Sequence, residues 1–369
     1  MRVCHFIDSS VAGDYFRNIA KSFSENGVEL LLLELGPGNP PAWLVDLPGI
    51  RYSSLNVTSK AMFPVAIFRL AQVLKQNDID ILHTHLFYSG LIGTLTKMLH
   101  RRRTSVVLMR HHTGVVRMLG SRLHVRSDRW MAEHADHVVT VSEAARRFML
   151  EVDGIDRNDI EVVYLGFDFD KLSPNIDKRE KVRSDLGFAD DDFVIGYVAN
   201  FAVGKGHLQL IKAFADVASE VPNARLLFAG RGEMPRDVVN ALSLLKPGQV
   251  VMAGWRDDID AVYNTIDIFV QPSLSEAFSQ VLIEAMGVGL PVIGTDVGGA
   301  SEVIESGING ILIQPSDPEA IHREVIKLYR DPRLRERLAK KGRESVRQRF
   351  SVDKMVKRHL ELYERWLNR

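Results

Sequence analysis

Two glutamates, Glu276 and Glu284, stand in a stretch of small and apolar residues, with seven residues between them. Glu276 follows Ser273 and Ser275 in a polar turn, whereas Glu284 lies in a run of helix-forming composition. A carboxylate within an apolar helix is unfavourable unless it accepts hydrogen bonds, which the hydroxyl groups of a ligand such as a ribose would supply. The spacing alone leaves two interpretations open: a pair of ligand-binding carboxylates, or a helix-capping Glu276 with Glu284 in an internal ion pair.

The same stretch is predicted to contain a helix over 278–286, which begins after the turn that holds Glu276 and ends near Gly289. The backbone N–H groups of Phe278 and Ser279 would then lie at the helix N-terminus, which favours a phosphate.

Lys205 lies between two glycines in Val203-Gly204-Lys205-Gly206-His207, between a predicted strand and a predicted helix. The glycines let the backbone approach a ligand, and a lysine there supplies a point charge for a phosphate. The alternative is a surface lysine in a turn. The P-loop pattern G-x-x-x-x-G-K-[ST] is absent, and so are a G-x-S-x-G motif and a G-x-G-x-x-G after the first strand.

Histidines follow two of the predicted strands. His111 and His112 come after a strand at 105–109 and are predicted to bind a substrate hydroxyl or phosphate at the carboxyl edge of the sheet. The alternative is a surface pair. His83 and His85 could in principle bind a metal, but without a further ligand nearby we predict that they line a loop. No metal site is predicted, because HExxH, CxxC and EF-hand patterns are absent.

The composition is that of a globular protein without a polyelectrolyte character. The length of 369 residues, 46% of them apolar, predicts two domains. The formal net charge is zero, so no nucleic-acid partner is predicted. The single cysteine, Cys4, fits a reducing cytoplasm. No signal-peptide pattern and no apolar run of membrane-spanning length occurs.

Positive charge is concentrated between residues 97 and 129, where Asp128 is the only acid among nine basic residues. Either this is a solvated face balanced by acids elsewhere, or it is a surface for anionic lipid headgroups or a phosphorylated acceptor. The basic residues are Lys97, Arg101, Arg102, Arg103, Arg110, Arg117, Arg122, Arg126 and Arg129.

Predicted strands and helices alternate in two series, separated by a polar connector over 165–192. This order predicts two Rossmann-like, doubly wound α/β domains, with a ligand-binding cleft between them. We place them at 1–172 and 173–350. The predicted strands are 3–7, 30–33, 79–83, 105–109, 137–141 and 161–164, then 193–198, 224–229, 250–253, 268–271, 291–294 and 310–313.

The chain resembles glycosyltransferase family 4 over nearly its full length. The similarity is densest in PSLSEAFSQVLIEAMGVGLPVIGTDVGGASEVI, which holds an E-x7-E element at Glu276 and Glu284. Gly204-Lys205-Gly206-His207 is similar to the family's donor-phosphate lysine motif, and His112-Thr113 occupies the place of its active-site histidine.

The resemblance implies the GT-B fold, with an N-terminal acceptor domain onto which the final helix, about 351–369, packs back, and a C-terminal donor domain. It also implies retaining transfer of a hexosyl group from a UDP- or GDP-type sugar to a glycan, a lipid-linked molecule or a small hydroxyl acceptor, without a metal or other cofactor. The expected location is cytoplasmic, with peripheral contact at an anionic membrane.

The resemblance also assigns roles to the donor-binding residues. Lys205 and the backbone amides of Phe278 and Ser279 would stabilise charge on the leaving phosphate. Glu284 would hold the ribose hydroxyls.

Catalytic roles would belong to Glu276 and His112. Glu276 would contact the donor sugar or order the phosphate loop, and His112 would bind that sugar or stabilise an oxocarbenium-like state. Gly13, in the first loop, would leave room for the acceptor and the diphosphate. Gly254-Trp255 would flank the base.

Three positions depart from the family pattern. Asn200 stands where an arginine is usual on the diphosphate, Ala277 where glycine is common, and Ala12-Gly13 where two glycines are usual. Loss of one charge-assisted bond costs on the order of 1–3 kcal/mol. Asn200 therefore leaves an alternative open, a non-catalytic sugar-nucleotide-binding protein or assembly subunit, unless an arginine from the basic region compensates.

Overall fold

The chain folds into two compact units in the computed structural model, which describes residues 1–8, 10–44, 47–100, 103–111 and 122–368. Unit 1 comprises Met1–Phe167 and Val352–Arg369, and unit 2 comprises Asp168–Ser351. The predicted boundary after residue 172 lies five residues beyond the boundary after residue 167.

Unit 1 is built on a seven-stranded parallel sheet with the order β3-β2-β1-β4-β5-β6-β7. The edge strand β3 was not predicted, because its side chains are only partly buried and form no apolar run. The strands are β1 (Arg2–Ile7), β2 (Glu29–Glu34), β3 (Ile50–Ser54), β4 (Ile81–His85), β5 (Ser105–Arg110), β6 (His137–Thr140) and β7 (Ile160–Val162).

Strand β4 begins and ends two residues later than predicted, which changes the position of two histidines. His83 is fully buried and His85 is 1% exposed. The prediction that these histidines line a loop is therefore wrong.

Helices connect successive strands of unit 1, as expected of a doubly wound sheet, except between β2 and β3, where the described connection holds only a short 3-10 turn at Ala42–Leu44. Ser142 caps the fifth described helix, because its hydroxyl accepts a hydrogen bond from Ala145 N at 3.0 Å. The helices are α1 (Asp14–Glu25), α2 (Phe63–Gln76), α3 (Phe87–His100), α4 (Arg122–His134) and α5 (Glu143–Glu151).

Unit 2 has a six-stranded parallel sheet with the order β10-β9-β8-β11-β12-β13. This is the Rossmann order, whose topological switch point, the usual ligand site, lies between the first and fourth strands. The strands are β8 (Phe193–Val198), β9 (Ala224–Ala229), β10 (Val250–Gly254), β11 (Ile268–Gln271), β12 (Val292–Thr295) and β13 (Ile311–Ile313).

The helices of unit 2 include one within the predicted connector, which is thus not wholly irregular. That helix is capped by Asn175, whose side-chain oxygen accepts from Lys178 N at 2.9 Å. The helices are α6 (Ile176–Asp185), α7 (His207–Glu220), α8 (Arg236–Ala241), α9 (Ile259–Thr265), α10 (Gln280–Val288), α11 (Ala300–Val303), α12 (Pro318–Arg330) and α13 (Pro332–Arg349).

The last helix, α14 (Val352–Leu367), belongs to unit 1. The ring of Trp366 stacks on His137 with centroids 4.1 Å apart. Glu161 accepts hydrogen bonds from both Arg358 and Arg365. The apolar face of α14 thus completes the core of unit 1, as an amphipathic helix does.

The predicted fold class is confirmed: both units are α/β, with Rossmann-like parallel sheets. Across the described parts of the chain, we find no helix that combines the length and the apolar character needed to cross a bilayer.

Candidate functional site

The candidate site lies at the switch point of unit 2, where the loops after β8 and β11 bring Lys205 and Glu276 into contact. Lys205 Nζ lies 2.7 Å from Glu276 Oε1. The same oxygen accepts hydrogen bonds from Ser273 Oγ at 2.8 Å and from Gln271 Nε2 at 3.2 Å. Three donors therefore hold one carboxylate oxygen, while the lysine side chain remains 33% exposed.

The close approach of the two loops requires glycine at position 206. Gly206 has φ of 74°, and a Cβ there would lie 1.9 Å from the carbonyl oxygen of Pro272. Leu274 N donates to the carbonyl of Gly204 at 2.7 Å and ties the loops together. The glycines that were predicted to admit a ligand thus also serve to seat Lys205 against the second loop.

A turn after β12 clamps Glu276 from the other side. Gly298 has φ of 54°, and a Cβ there would lie 1.6 Å from the carbonyl oxygen of Glu276. We did not single out this glycine from the sequence, although the pair Gly298-Gly299 after a predicted strand was a usable signal.

Helix α10 begins two residues later than predicted. Ser279 is its N-cap residue, and the helix runs from Gln280 to Val288 with Gly289 as its C-cap. The amides of Phe278 and Ser279 therefore precede the helical residues, and their binding of a phosphate stays a prediction. The Ser279 hydroxyl is buried with no hydrogen-bond partner among the residues that the structure describes.

Glu284 is half-buried on α10 and is oriented by a tyrosine from α9. Tyr263 is fully buried, and its hydroxyl donates to Glu284 Oε2 at 2.7 Å. Burial and the charge of Glu284 raise the pKa of Tyr263 well above 10, so the hydroxyl stays a donor at neutral pH. Sequence reasoning missed Tyr263, because its position in a short apolar helix is typical of a core residue.

Aromatic packing joins the two glutamates. Tyr197 shares a hydrogen bond with Ser273 Oγ at 3.0 Å. The ring of Phe269 lies between, with its centroid 6.2 Å from that of Tyr197 and 5.7 Å from that of Tyr263. Glu276 and Glu284 are therefore both held by one rigid, buried cluster.

Asn200 does not contact Lys205 or Glu276 in the described hydrogen bonds and ion pairs. Its side-chain oxygen accepts from Arg231 N at 3.4 Å, which ties it to the turn after β9. The Arg231 guanidinium lies 4.7 Å from the ring centroid of Trp255, whose side chain is 59% exposed. An exposed cation and an exposed aromatic ring thus adjoin the position where the family's arginine is absent.

The remaining predicted residues lie in unit 1. Gly13 is the N-cap residue of α1 with φ of −66°, and open space surrounds the position of a Cβ there. The chain itself therefore imposes no need for glycine at this position. His112 lies outside the described residues, so its role stays a prediction.

Both halves of the chain match models of known families. The family model described as Glycosyltransferase Family 4 matches residues 12–171, and that described as Glycosyl transferases group 1 matches residues 178–345. The chain belongs to glycosyltransferase family 4. The prediction of a transferase enzyme is thereby confirmed over the non-catalytic alternative.

Relatives of this family 4 glycosyltransferase cover most of its length. The N-acetyl-alpha-D-glucosaminyl L-malate synthase of Bacillus anthracis is 27% identical over 94% of this chain and 91% of its own. The UDP-Gal:alpha-D-GlcNAc-diphosphoundecaprenol alpha-1,3-galactosyltransferase of Escherichia coli is 24% identical over 81% of this chain and 78% of its own.

Solved structures show the same fold. Anabaena HepE, in complex with UDP-glucose, superposes with a TM-score of 0.85 at 21% identity and covers 99% of both chains. The fold of this family 4 glycosyltransferase is therefore GT-B.

Proposed function

We propose that this enzyme transfers a hexosyl group from a UDP-sugar, with retention of configuration, to a hydroxyl acceptor in polysaccharide or glycoconjugate synthesis. The contact of Lys205 with Glu276 at the switch point of unit 2 carries the proposal. Lys205 is a partly exposed cation at the carboxyl ends of parallel strands, and this edge of a doubly wound sheet is where the phosphates of a nucleotide bind. The UDP and UDP-sugar complexes of HepE support this choice of donor.

The donor's diphosphate would compete with Glu276 for the charge of Lys205. As the bond from the anomeric carbon to the phosphate oxygen breaks, negative charge grows on that oxygen, and Lys205 stabilises it. The acceptor oxygen bonds to the anomeric carbon on the same face, and its proton passes to the leaving phosphate. Because Lys205 supplies the positive charge, we propose that no metal cofactor is needed.

Glu284 would accept hydrogen bonds from the ribose hydroxyls, with its second oxygen fixed by Tyr263. Glu276 would contact the transferred sugar once the diphosphate has taken Lys205. His112 would bind the donor sugar or stabilise its oxocarbenium-like state. The names of the two relatives include a small hydroxy acid and a lipid diphosphate sugar, so we propose a glycan, a lipid-linked molecule or a small hydroxyl compound as acceptor.

Donor binding tests the proposal directly. Sugars linked to UDP, GDP and ADP are titrated calorimetrically against the whole protein, with and without EDTA, and hydrolysis is followed in parallel. We expect UDP-sugars to bind best and EDTA to have no effect. Glu284→Ala should weaken binding about 10- to 100-fold, because a hydrogen bond to a charged group contributes about 1.5–3 kcal/mol.

The matched control is Glu319→Ala, which removes an exposed glutamate from the first turn of α12 in the same unit. It should bind donor as the unaltered protein does. Preference for a GDP- or ADP-sugar would refute the choice of base, and equal binding by Glu284→Ala would refute the ribose assignment.

We also propose peripheral contact with an anionic membrane, through part of the basic region. Arg103, Arg122 and Arg126 are exposed, and so are Leu99 and Leu123, close to them in the sequence, at 67% and 70%. Cations next to exposed apolar side chains suit a lipid surface.

The other described cations of the basic region are less available. Lys97 pairs with Asp136 at 2.6 Å, Arg110 is buried, and Arg129 pairs with Glu133. The protein should sediment together with vesicles that contain anionic lipid and should stay in the supernatant with vesicles that lack it. Loss of binding in Arg122→Glu, but not in Arg323→Glu of unit 2, would support the surface. Absence of binding to anionic vesicles at low salt would refute the proposed membrane contact.

A further inference from the structure

Five polar side chains of unit 1 form a continuous row of hydrogen bonds, here called the histidine chain. His111 Nε2 lies 3.1 Å from His85 Nδ1, and His85 Nε2 lies 3.0 Å from His5 Nδ1. His5 Nε2 lies 3.3 Å from the hydroxyl of Tyr363, which also bonds to Nδ1 of His83. The row thus runs from the residue after β5, through the last helix, to His83 of β4.

Strand register explains why these histidines meet. His5 of β1 is the partner of His83 in β4, and His85 is the partner of Met109 in β5. Alternate residues of a strand share a face, so all four rings project from the same face of the sheet. Tyr363 of α14 covers that face.

Burial keeps the rings neutral. Desolvation lowers the pKa of His5, His83 and His85 well below 6.5, and repulsion from neighbouring imidazoles lowers it further for each. A neutral imidazole has one N–H donor and one acceptor nitrogen. Each link of the chain therefore needs one proton, and the tautomer of one ring fixes the tautomers of the others.

Only two polarities are possible, and His83 distinguishes them. Its Nε2 is buried and has no hydrogen-bond partner among the described residues. If Tyr363 donated to Nδ1 of His83, the ring proton would sit on Nε2 as a buried donor without an acceptor. If instead Nδ1 of His83 donates to Tyr363, only a lone pair at Nε2 is unmatched. Buried N–H groups without an acceptor are the rarer of the two.

We propose that the histidine chain is a positioning device that donates a hydrogen bond into Nε2 of His111 and holds this ring as its Nδ1–H tautomer. The direction of donation is His83 to Tyr363, then His5, His85 and His111. His111 stands at the carboxyl end of β5, directly before His112. The histidine chain therefore orients the backbone at the edge of the sheet from which unit 1 would act on the sugar or the acceptor. This kinetic consequence rests on the proposed function, whereas the tautomers do not.

The same histidines do not suit a shared metal ion. Ligand nitrogens of His5, His83 and His85 lie within 4.8 Å of one another. However, the rings of His83 and His85 are stacked, with planes 7° apart and centroids 4.6 Å apart. A metal lies close to the plane of each imidazole that binds it, and two stacked planes share no such position. The hydrogen-bonded row is therefore the better account of the cluster.

Nuclear magnetic resonance of the ligand-free whole chain tests the polarity. In protein labelled with ¹⁵N-histidine, long-range ¹H–¹⁵N correlations separate the two neutral tautomers, and His85→Gln assigns one ring by loss of its signals. We expect His5, His85 and His111 as Nδ1–H tautomers near neutral pH. Observation of the Nε2–H tautomer at His85 would overturn the proposal. If His85→Gln does not fold, fewer than three Nδ1–H rings in the unaltered protein would overturn it as well.

Tyr363→Phe interrupts the chain while it keeps the ring in the core. Without the hydroxyl of Tyr363, an Nε2–H tautomer of His5 would be a buried donor without an acceptor, so we expect His5 and His85 to stay Nδ1–H tautomers. Transfer should slow about tenfold in kcat with unchanged affinity for UDP, since the donor is bound by unit 2. Tyr88→Phe, on α3 of the same unit, is the control and should change neither readout.

An Nε2–H tautomer of His5 or His85 in Tyr363→Phe would overturn the proposal, as would a Zn²⁺-dependent rise in Tm that His85→Gln abolishes. If the unaltered protein transferred no sugar, the proposed function would be refuted. The tautomers would still test the proposed direction of donation in the histidine chain.

Discussion

The ion pair between Lys205 and Glu276 is exposed on one side and anchored on the other. Glu276 is held by Ser273 and Gln271 as well, so it would stay in place if a phosphate bound the lysine. The lysine stem is flexible, and its ammonium group can turn from a carboxylate to a phosphate at small cost. In the proposed donor complex, Lys205 would therefore leave a glutamate that two other donors still hold.

A comparison of Gly298→Ala with Gly307→Ala should separate two effects: the contact of the turn with Glu276, and the preference of glycine for a left-handed backbone. Any residue with a Cβ at this left-handed φ costs about 1–2 kcal/mol, and at Gly298 the Cβ would also collide with the carbonyl of Glu276. Gly307 has φ of 82° with nothing within 4 Å of its Cβ position, so Gly307→Ala carries the backbone cost alone.

We expect Gly307→Ala to lower the free energy of unfolding by about 1–2 kcal/mol and to bind UDP normally. Gly298→Ala should lose more stability and weaken UDP binding at least tenfold. Urea unfolding and calorimetry measure both quantities. Equal affinity in the two variants would show that the turn does not position Glu276.

The sequence indicated the residues of the site that carry distinctive chemistry, but not those that support them. Lys205, Glu276 and Glu284 stand out because charge is unusual beside glycine or within an apolar helix. Tyr263 and Tyr363 look like core residues, and only long-range contacts reveal what their hydroxyls bond. The pairing of His5 with His83 depends on strand register, which a single strand does not encode.

Elements with a continuous apolar run were predicted nearly to the residue, whereas amphipathic or polar ones were not. Strands β8, β9 and β11 have the predicted bounds. Strand β3 at the sheet edge was missed, and so was α6. The sequence of α6 is almost uniformly polar, and its Asn175 cap was read as part of a connector. Propensity alone decides little in such segments, because tertiary packing overrides it.

The whole molecule should lose stability as the pH falls below 6.5. Burial lowers the pKa of His359 to about 3 and that of His207 to about 4, and the charge of Lys205 adds to the effect on His207. The unfolded chain then binds protons that the folded chain does not, so stability is complete above about pH 6.5 and declines toward pH 4. Each such histidine costs about 2 kcal/mol at pH 5.

His359→Leu tests this account by thermal unfolding at about pH 7.5 and about pH 5. Both ring nitrogens of His359 are buried without partners among the described residues, so the leucine should be tolerated at the higher pH. The loss of Tm on acidification should shrink in this variant. His134→Gln, at an exposed position on α4, should leave that loss unchanged. An equal loss in all three proteins would refute the assignment to buried histidines.

The two separate segments of unit 1 impose an order on its synthesis. Residues 168–351 emerge from the ribosome between them, and at 5–20 residues per second this takes roughly 10–40 s. Unit 2 is contiguous and can complete its core during that time. Unit 1 cannot complete its core until α14, which carries Tyr363, has been synthesised. A nascent chain stalled before residue 352 would therefore expose a half-built partner to chaperones and proteases while its donor half is already folded.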